Sequence, residues 1–167
     1  LRVDTLEDLT EFLKGVSPQR RAKRSWASDL PEAPGVYRFY ADLPDADGVL
    51  RRQVLYVGKS VNLRARVRSY FTAAEKRPRM EEMVRVASGV ETTVCRTPLE
   101  AEVLELRLIA AHRPRYNRRS KFPERQVWLK LTREAYPRLS VVARVADDDA
   151  DYFGPLGGRS AAEQILL

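Results

Sequence analysis

Tyr37 and Tyr56 each stand two residues from a glycine, Gly35 and Gly58, and four cations, Lys59, Arg64, Arg66 and Arg68, follow the second. Hydroxyls that orient or deprotonate a water, set beside cations that take up developing negative charge, are what cleavage of a phosphate ester requires. Gly58 would let the backbone turn sharply or let a phosphate approach closely. A helix starting just after it would present an N-terminus already favourable to an anion. The same residues also suit a plainer role, two aromatic strand residues followed by a solvated basic helix, because tyrosine is common in strands.

Glu105 is the next candidate. On a helix its neighbours at i−4, i+3 and i+4 are Ala101, Leu108 and Ile109, with Leu104 beside it. A carboxylate among aliphatic side chains is costly unless it is paired or holds a cation. A single carboxylate suits Mg2+, which keeps several waters and draws further ligands from substrate phosphates. An ion pair with one of the many arginines would satisfy it as well. Glu100 is explained by a helix cap, and Glu102 reads as an ordinary exposed acid. Asn117, within PRYNRRSK, is able to bond a phosphate or a catalytic group, but by itself reads best as an Asx-type turn. The run Asp147, Asp148, Asp149 and Asp151 reads as a solvated loop between a strand and a Gly-Pro turn. Cys95 and His112 read as structural or incidental.

The chain as a whole narrows the chemistry. One cysteine and one histidine leave no disulfide framework, no cysteine zinc site and no His-His metal pair. No apolar run is long enough to span a membrane, and no secretory signal is visible. The net charge is +7, and the basic residues fall in blocks at Lys14–Arg24, Lys59–Arg68, Lys76–Arg79 and His112–Lys121. Blocks of one sign point to a polyanion, and their alternation with tyrosines and polar residues favours nucleic acid over a membrane surface. The chain begins at Leu1 and stops at Leu167 inside a helix-like run, so it is expected to be a fragment of a longer protein.

The elements that must position these residues are legible in outline. Val3–Leu13 reads as a short amphipathic helix, and Ser17–Asp29 as a basic linker with Trp26 as its anchor. Strands are expected at Val36–Ala41 and Arg52–Val57, joined as an antiparallel hairpin through DLPDADGV. A helix follows with Ser60 as N-cap and Leu63, Val67, Tyr70 and Phe71 on one stripe. Pro78 opens another, with Met80, Met83, Val84 and Ala87 inward. VETTVCR is a third strand. In TPLEAEVLELRLIAAHRP, Thr97, Pro98 and Glu100 mark a capped helix start and Pro114 its stop. Further strands are expected at Gln126–Thr132 and Arg138–Val145, and a last helix from Arg159. The fold class is α+β, a small central antiparallel or mixed sheet flanked by helices, with extra C-terminal strands. The expected division is an N-terminal helix and linker over 1–29, a core over 30–118, and C-terminal strands with the start of a truncated helix over 119–167.

Together, GVY (Gly35–Tyr37), YVG (Tyr56–Gly58), LRARVRSYF, TPLEAEVLE and PRYN resemble the GIY-YIG nuclease family. Within it, PGVYRFY, LYVGKSVNLRARVRSYF, LEAEVLE, RPRYN and YFGP follow in order the stretches of the UvrC-type N-terminal endonuclease domain, from Pro31 to Pro155. The basic arm, NRRSKFPERQVWLKLT and GGRSAAEQ resemble an actinobacterial subgroup in which this domain follows a DnaQ-like exonuclease domain.

The resemblance implies a metal-dependent DNA endonuclease of nucleotide excision repair. It implies a bacterial cytoplasmic protein, nucleoid-associated when on DNA, with UvrB-like or other repair partners. Tyr56 would be the general base, positioned by Tyr37; Lys59 and Arg66 would contact the phosphate, with Arg64 and Arg68 adding to substrate binding. Glu105 would be the protein ligand of Mg2+ or Mn2+, Asn117 would support the site, and Gly58 would supply close approach. A tyrosine with an ordinary pKa of ~10 needs neighbouring cations to act as a base. One departure stands out: ADLPDADGVLRRQ makes the Tyr37–Tyr56 connection longer than the family's, and is read as a longer hairpin tip. The alternative is a docking or DNA-binding module with weak or no activity. Phosphate contacts carry no sequence information, so RNA suits these residues as well as DNA.

Overall fold

The computed structural model describes residues 6, 16–73, 75–117 and 126–166. The helix expected over Val3–Leu13 and most of the basic tract after Asn117 lie outside the described residues. The first sheet holds β1 (Gly35–Pro44), β2 (Leu50–Ser60) and β3 (Gly89–Val94), antiparallel in the order β2-β1-β3. Both hairpin strands are longer than expected, and this is how the long connection is accommodated. The tip closes on Asp45, whose carboxylate accepts from the Asp47 and Val49 N–H groups, with Gly48 at φ +77°. Register is kept through one irregularity between Phe39 and Tyr40, so Tyr37 still faces Gly58 and Phe39 faces Tyr56.

β1 is the central strand and is buried on both faces. Tyr37 and Phe39, two apart, point to one side. They pack with Leu63, Val67, Tyr70 and Phe71 of α2 (Leu63–Ser69) and its C-terminal turn, and with Met80, Met83 and Val84 of α3 (Pro78–Val86). The expected inward stripes of both helices are all buried. The N-cap of α2 is Asn62, which accepts from the Ala65 N–H at 2.8 Å, and not Ser60. Strand pairing continues through Gly58 to Ser60, so the helix cannot begin there.

On the opposite face Val36 and Val57 meet Ala101 and Ile109 of α4 (Pro98–His112). Thr97 caps α4 by accepting from the Glu100 N–H, while the Glu100 carboxylate accepts from Arg96 N–H instead of completing the reciprocal bond at Thr97. The helix is apolar on more than one side because it is covered twice. Its Val103 packs against Leu129 and Leu156 of a second antiparallel sheet, ordered β5-β4-β6, with β4 Val127–Leu131, β5 Leu139–Val142 and β6 Asp151–Leu156. The expected acidic loop therefore turns into a strand at Asp151. Two of its acids are partnered at the surface, Asp148 with Lys130 and Asp151 with Arg133. α5 (Arg159–Leu166) closes this end through Ala162.

The segment expected as a linker is helical and docked. It forms α1 (Pro18–Ala22), capped by Ser17, and a 3-10 turn over Lys23–Ala27. Arg20 is buried and donates to the Tyr70, Thr72 and Glu75 carbonyls at 2.8, 2.8 and 3.0 Å. Lys23 Nζ donates to the Val84 and Ala87 carbonyls at the end of α3, at 2.7 and 2.6 Å. Trp26 stands edge-on to Phe71. Two cations thus satisfy carbonyls that helix ends leave without partners. Among the described residues no helix is long and apolar enough to cross a membrane.

Candidate active site

The hairpin and α2 bring three hydroxyls and one guanidinium together. Tyr37 and Tyr56 share the sheet face under α2, with ring centroids 6.2 Å apart. The Tyr37 hydroxyl lies 2.8 Å from that of Tyr70, and Arg66 Nε donates to Tyr37 Oη at 3.3 Å. Tyr70 also lies against Tyr56, and the Arg66 and Arg77 guanidiniums stand over its ring at 5.2 and 6.0 Å. By its sequence pattern Tyr70 is only a core residue of the apolar stripe. Its place four residues after Arg66, on the same side of the helix, is the signal that it could join the arginine.

Gly58 does not break the strand. It is the cross-strand partner of Tyr37, and a Cβ on it would lie 2.4 Å from Tyr37 Oη. The missing side chain is the space that the Tyr37 ring fills, a common reason for glycine inside a strand.

On the other side of Tyr56 lie Lys59 and Glu105. Glu105 is half-buried, and burial raises its carboxyl above the ordinary range while the Lys59 charge and backbone N–H oppose this. Among the described residues no arginine ion pair is found for it. Lys59 pairs instead with Glu102, one turn before Glu105, so Glu102 is not the free surface acid expected. Tyr56 is influenced by both ends of the cluster. Its pKa is raised mainly by burial, then by Tyr70 and by the Glu105 charge, and is lowered by Arg66. Burial pushes Tyr37 up to about 12, with Arg66 and Tyr70 opposing. Tyr70 is raised as well, again mainly by burial. All three tyrosines are therefore neutral hydroxyls near pH 7.

Asn117 is buried, and its amide is turned to the backbone of β2. Its Oδ1 accepts from the Val57 N–H at 2.9 Å and its Nδ2 donates to the Val57 carbonyl at 2.8 Å. The neighbouring Tyr116 N–H donates to the Leu55 carbonyl at 3.0 Å. β2 is an edge strand, and this loop covers the edge that would otherwise lie open. A bond from Asn117 to a phosphate is thus replaced by a clamp on the residue between Tyr56 and Gly58.

Arg64 and Arg68 do not join Arg66. Two residues along a helix is a rotation of about 200°, which sends them to the opposite side. Arg64 donates to the Leu30 carbonyl at 2.7 Å and to Glu32 at 2.6 Å. Among the described residues no group of three or more His, Cys, Asp or Glu side chains is placed to hold a metal ion. A cation held by Glu105 alone, with water and substrate oxygens, is a donor set of the kind Mg2+ takes.

This sheet-and-helix frame with its tyrosine, arginine and glutamate cluster defines a class. The family model of the UvrC-like GIY-YIG domain matches residues 33–118, just over half of the chain, and the chain belongs to that family. A protein of Mycobacterium tuberculosis described as a bifunctional exonuclease/endonuclease is 45% identical over 166 residues, covering 99% of this chain and 24% of that protein. The UvrABC system protein C of Thermus thermophilus is 43% identical over 136 residues, covering 81% of this chain and 21% of that protein. The chain thus spans about a quarter or less of the length of these curated relatives. The GIY-YIG N-terminal endonuclease domain of UvrC from Thermotoga maritima, solved with magnesium as its catalytic cation, is 30% identical, covers 61% of this chain and 99% of that one, and gives a TM-score of 0.47.

Proposed function

We propose that this chain is a metal-dependent endonuclease domain that hydrolyses one phosphodiester bond of DNA and leaves a nicked strand, as in the incision step of excision repair. The observation that supports it best is the position of Tyr56, coupled to Arg66 on one side and to Glu105 on the other. Tyr56 orients the attacking water and takes its proton. Tyr37 and Tyr70 hold the hydroxyl network in which Tyr56 sits, and Arg66 binds the phosphate oxygens. Lys59 contacts the same phosphate after leaving Glu102.

The proton step needs Tyr56 to become more acidic than it is in this arrangement. Burial holds its pKa up most, then Tyr70; of the two charges that flank it, Glu105 also holds it up and Arg66 pulls it down. Glu105 would hold Mg2+ or Mn2+, which when bound would offset the carboxylate beside Tyr56 and supply positive charge for the leaving oxygen. Gly58 and Asn117 act through others, one making room for Tyr37 and one fixing the strand that carries Tyr56.

The test is nicking of supercoiled plasmid with Mg2+ or Mn2+ by the parent, Glu105→Ala and Tyr56→Phe. Loss of nicking in both variants, with fold and DNA binding kept, is the expected result. A parent that binds DNA and never nicks, on damaged or bubble substrates as well, would favour the docking-module reading. Variants that nick like the parent would refute the site. Mn2+ binding by the parent but not by Glu105→Ala, read by the paramagnetism of bound Mn2+, tests the ligand without cleavage. A UvrB-like repair protein and an exonuclease domain in the same polypeptide are the partners that go with this reading.

A further inference from the structure

The stretch that matches the family model begins at residue 33, yet the site is tied to chain that precedes it. Arg20 of α1 is buried, and its guanidinium donates to three carbonyls in the connection between α2 and α3: those of Tyr70 and Thr72 at 2.8 Å and of Glu75 at 3.0 Å. These carbonyls lie at or just past a helix end, where the helix supplies no N–H partner. The connection so clamped bears on the candidate active site at both of its ends. At its start is Tyr70, whose hydroxyl lies 2.8 Å from Tyr37 Oη and whose ring lies against that of Tyr56. Near its other end the Glu75 carboxylate, almost wholly buried, accepts from Arg77 Nε and Nη2 at 2.7 and 2.5 Å. That pair stations the Arg77 guanidinium over the Tyr70 ring, 6.0 Å from its centre. One buried guanidinium thus holds the backbone of Tyr70 and of the residue that fixes its cationic neighbour.

We propose that Arg20 is a positioning residue for cleavage, which holds the Tyr70 hydroxyl against Tyr37 and Tyr56 by clamping the Tyr70 and Glu75 carbonyls. This inference rests on the endonuclease reading and extends its site to a segment outside the matched domain. A tyrosine hydroxyl stands at the far end of a rigid ring, so a small turn of the backbone at Tyr70 carries it out of hydrogen-bond reach of Tyr37. α2 is only seven residues long and Tyr70 is its C-cap, the place where a helix frays. Three charge-assisted bonds from one planar group oppose that fraying. Arg20 makes them from inside the protein, so its effect reaches the substrate only through Tyr70.

The experiment compares the parent with Arg20→Met, Arg20→Lys and Lys23→Met in DNA binding, in thermal melts and in single-turnover nicking with protein in excess. Lys23 docks the same segment, but to the Val84 and Ala87 carbonyls at the far end of α3. Its replacement loosens the segment without touching the Tyr70 connection, and is the control for docking alone. Arg20→Met keeps an unbranched apolar stem and removes the donors. It should slow cleavage at saturating DNA roughly ten- to a hundredfold, with DNA affinity unchanged. Arg20→Lys, which keeps the charge and loses the fork, should fall between. Lys23→Met should cleave at the parent rate below its melting temperature. An ultraviolet titration of the tyrosines reads the same role without cleavage. Burial holds the Tyr70 hydroxyl above the ordinary tyrosine pKa of about 10. One tyrosine fewer should titrate above that range in Arg20→Met, and the number should be unchanged in Lys23→Met. A parent-like rate and titration in Arg20→Met, or an equal loss in Lys23→Met at matched stability, would overturn the positioning role. If Arg20→Met does not fold, Arg20→Lys decides by the same two readouts. A parent that binds DNA and never nicks would overturn the endonuclease reading itself, and the titration would then decide by itself whether Arg20 holds Tyr70.

Discussion

Replacing Asn117 tests the frame of the site most directly. Its amide makes two hydrogen bonds to one residue, 2.9 Å from the Val57 N–H and 2.8 Å to the Val57 carbonyl, and Val57 is completely buried. Each bond contributes about 1 kcal/mol net, and a buried backbone group left without a partner costs about 1–3 kcal/mol. Asn117→Ala should therefore lose ~2–4 kcal/mol, a large part of the ~5–15 kcal/mol that holds a domain together. At ~2–4 °C per kcal/mol for a chain of this size, the melting temperature should fall by ~5–15 °C. Asn117→Asp separates the two bonds. A carboxylate still accepts from the Val57 N–H, but its other oxygen now faces the Val57 carbonyl. Only the protonated acid can donate there, so the folded state raises the pKa of the new carboxyl above its unfolded value. The stability tied to that proton is full below the unfolded pKa, ~3.9, and is lost as pH rises through the folded pKa. Thermal melts by circular dichroism from about pH 4 to 8 should show the gap between parent and Asn117→Asp narrowing in acid. Nicking should drop in both variants well below their melting temperatures, because Tyr56 and Gly58 flank the clamped residue. An Asn117→Ala protein that melts within a degree or so of the parent, or a gap indifferent to pH, would refute the clamp.

Three further outcomes follow from the same geometry. Gly58→Ala places a methyl 2.4 Å from Tyr37 Oη, far closer than van der Waals separation, so it should cost ~1–3 kcal/mol by overpacking and reduce nicking more than DNA binding. Glu105→Gln removes a charge that adds to the rise burial imposes on Tyr56, so the Tyr56 pKa should fall in an ultraviolet titration of the tyrosines, while nicking is lost and thermal stability is maintained or increased because a carboxylate no longer has to be desolvated. Tyr37 ionises at about 12 when folded against ~10 unfolded, so its hydroxyl contributes stability that is complete below about pH 10 and is lost as pH rises to about 12. Tyr37→Phe should remove up to roughly 3 kcal/mol of that alkaline loss, read as denaturant midpoints that run parallel to the parent's up to about pH 10 and fall less steeply above it.

Much of this protein is local in its sequence. The stripe Leu63, Val67, Tyr70 and Phe71 repeats at the helical period, Thr97-Pro98 starts α4, and Asp47-Gly48 turns the hairpin, so these elements follow from nearest neighbours alone. The tyrosines, Arg66 and Glu105 stand out as candidates in the sequence because their residue types at that order suit phosphate chemistry. Which of them meet is set by packing. A helix rotates its side chains by about 100° per residue, so one register places Arg66 at the tyrosines and turns Arg64 and Arg68 away. Local pattern gives the period but not which face is covered. Asn117 reads as a turn residue until the open edge of β2 lies beside it, sixty residues away in the chain. Lys59 finds Glu102, and the basic arm finds carbonyls at two helix ends, through contacts of the same long range. Tyr70 looks like core because it is core; its hydroxyl becomes part of the site only when Tyr37 and Tyr56 are brought beneath it. Residue type and spacing carry the chemistry that is available, and long-range packing assigns each group its partner.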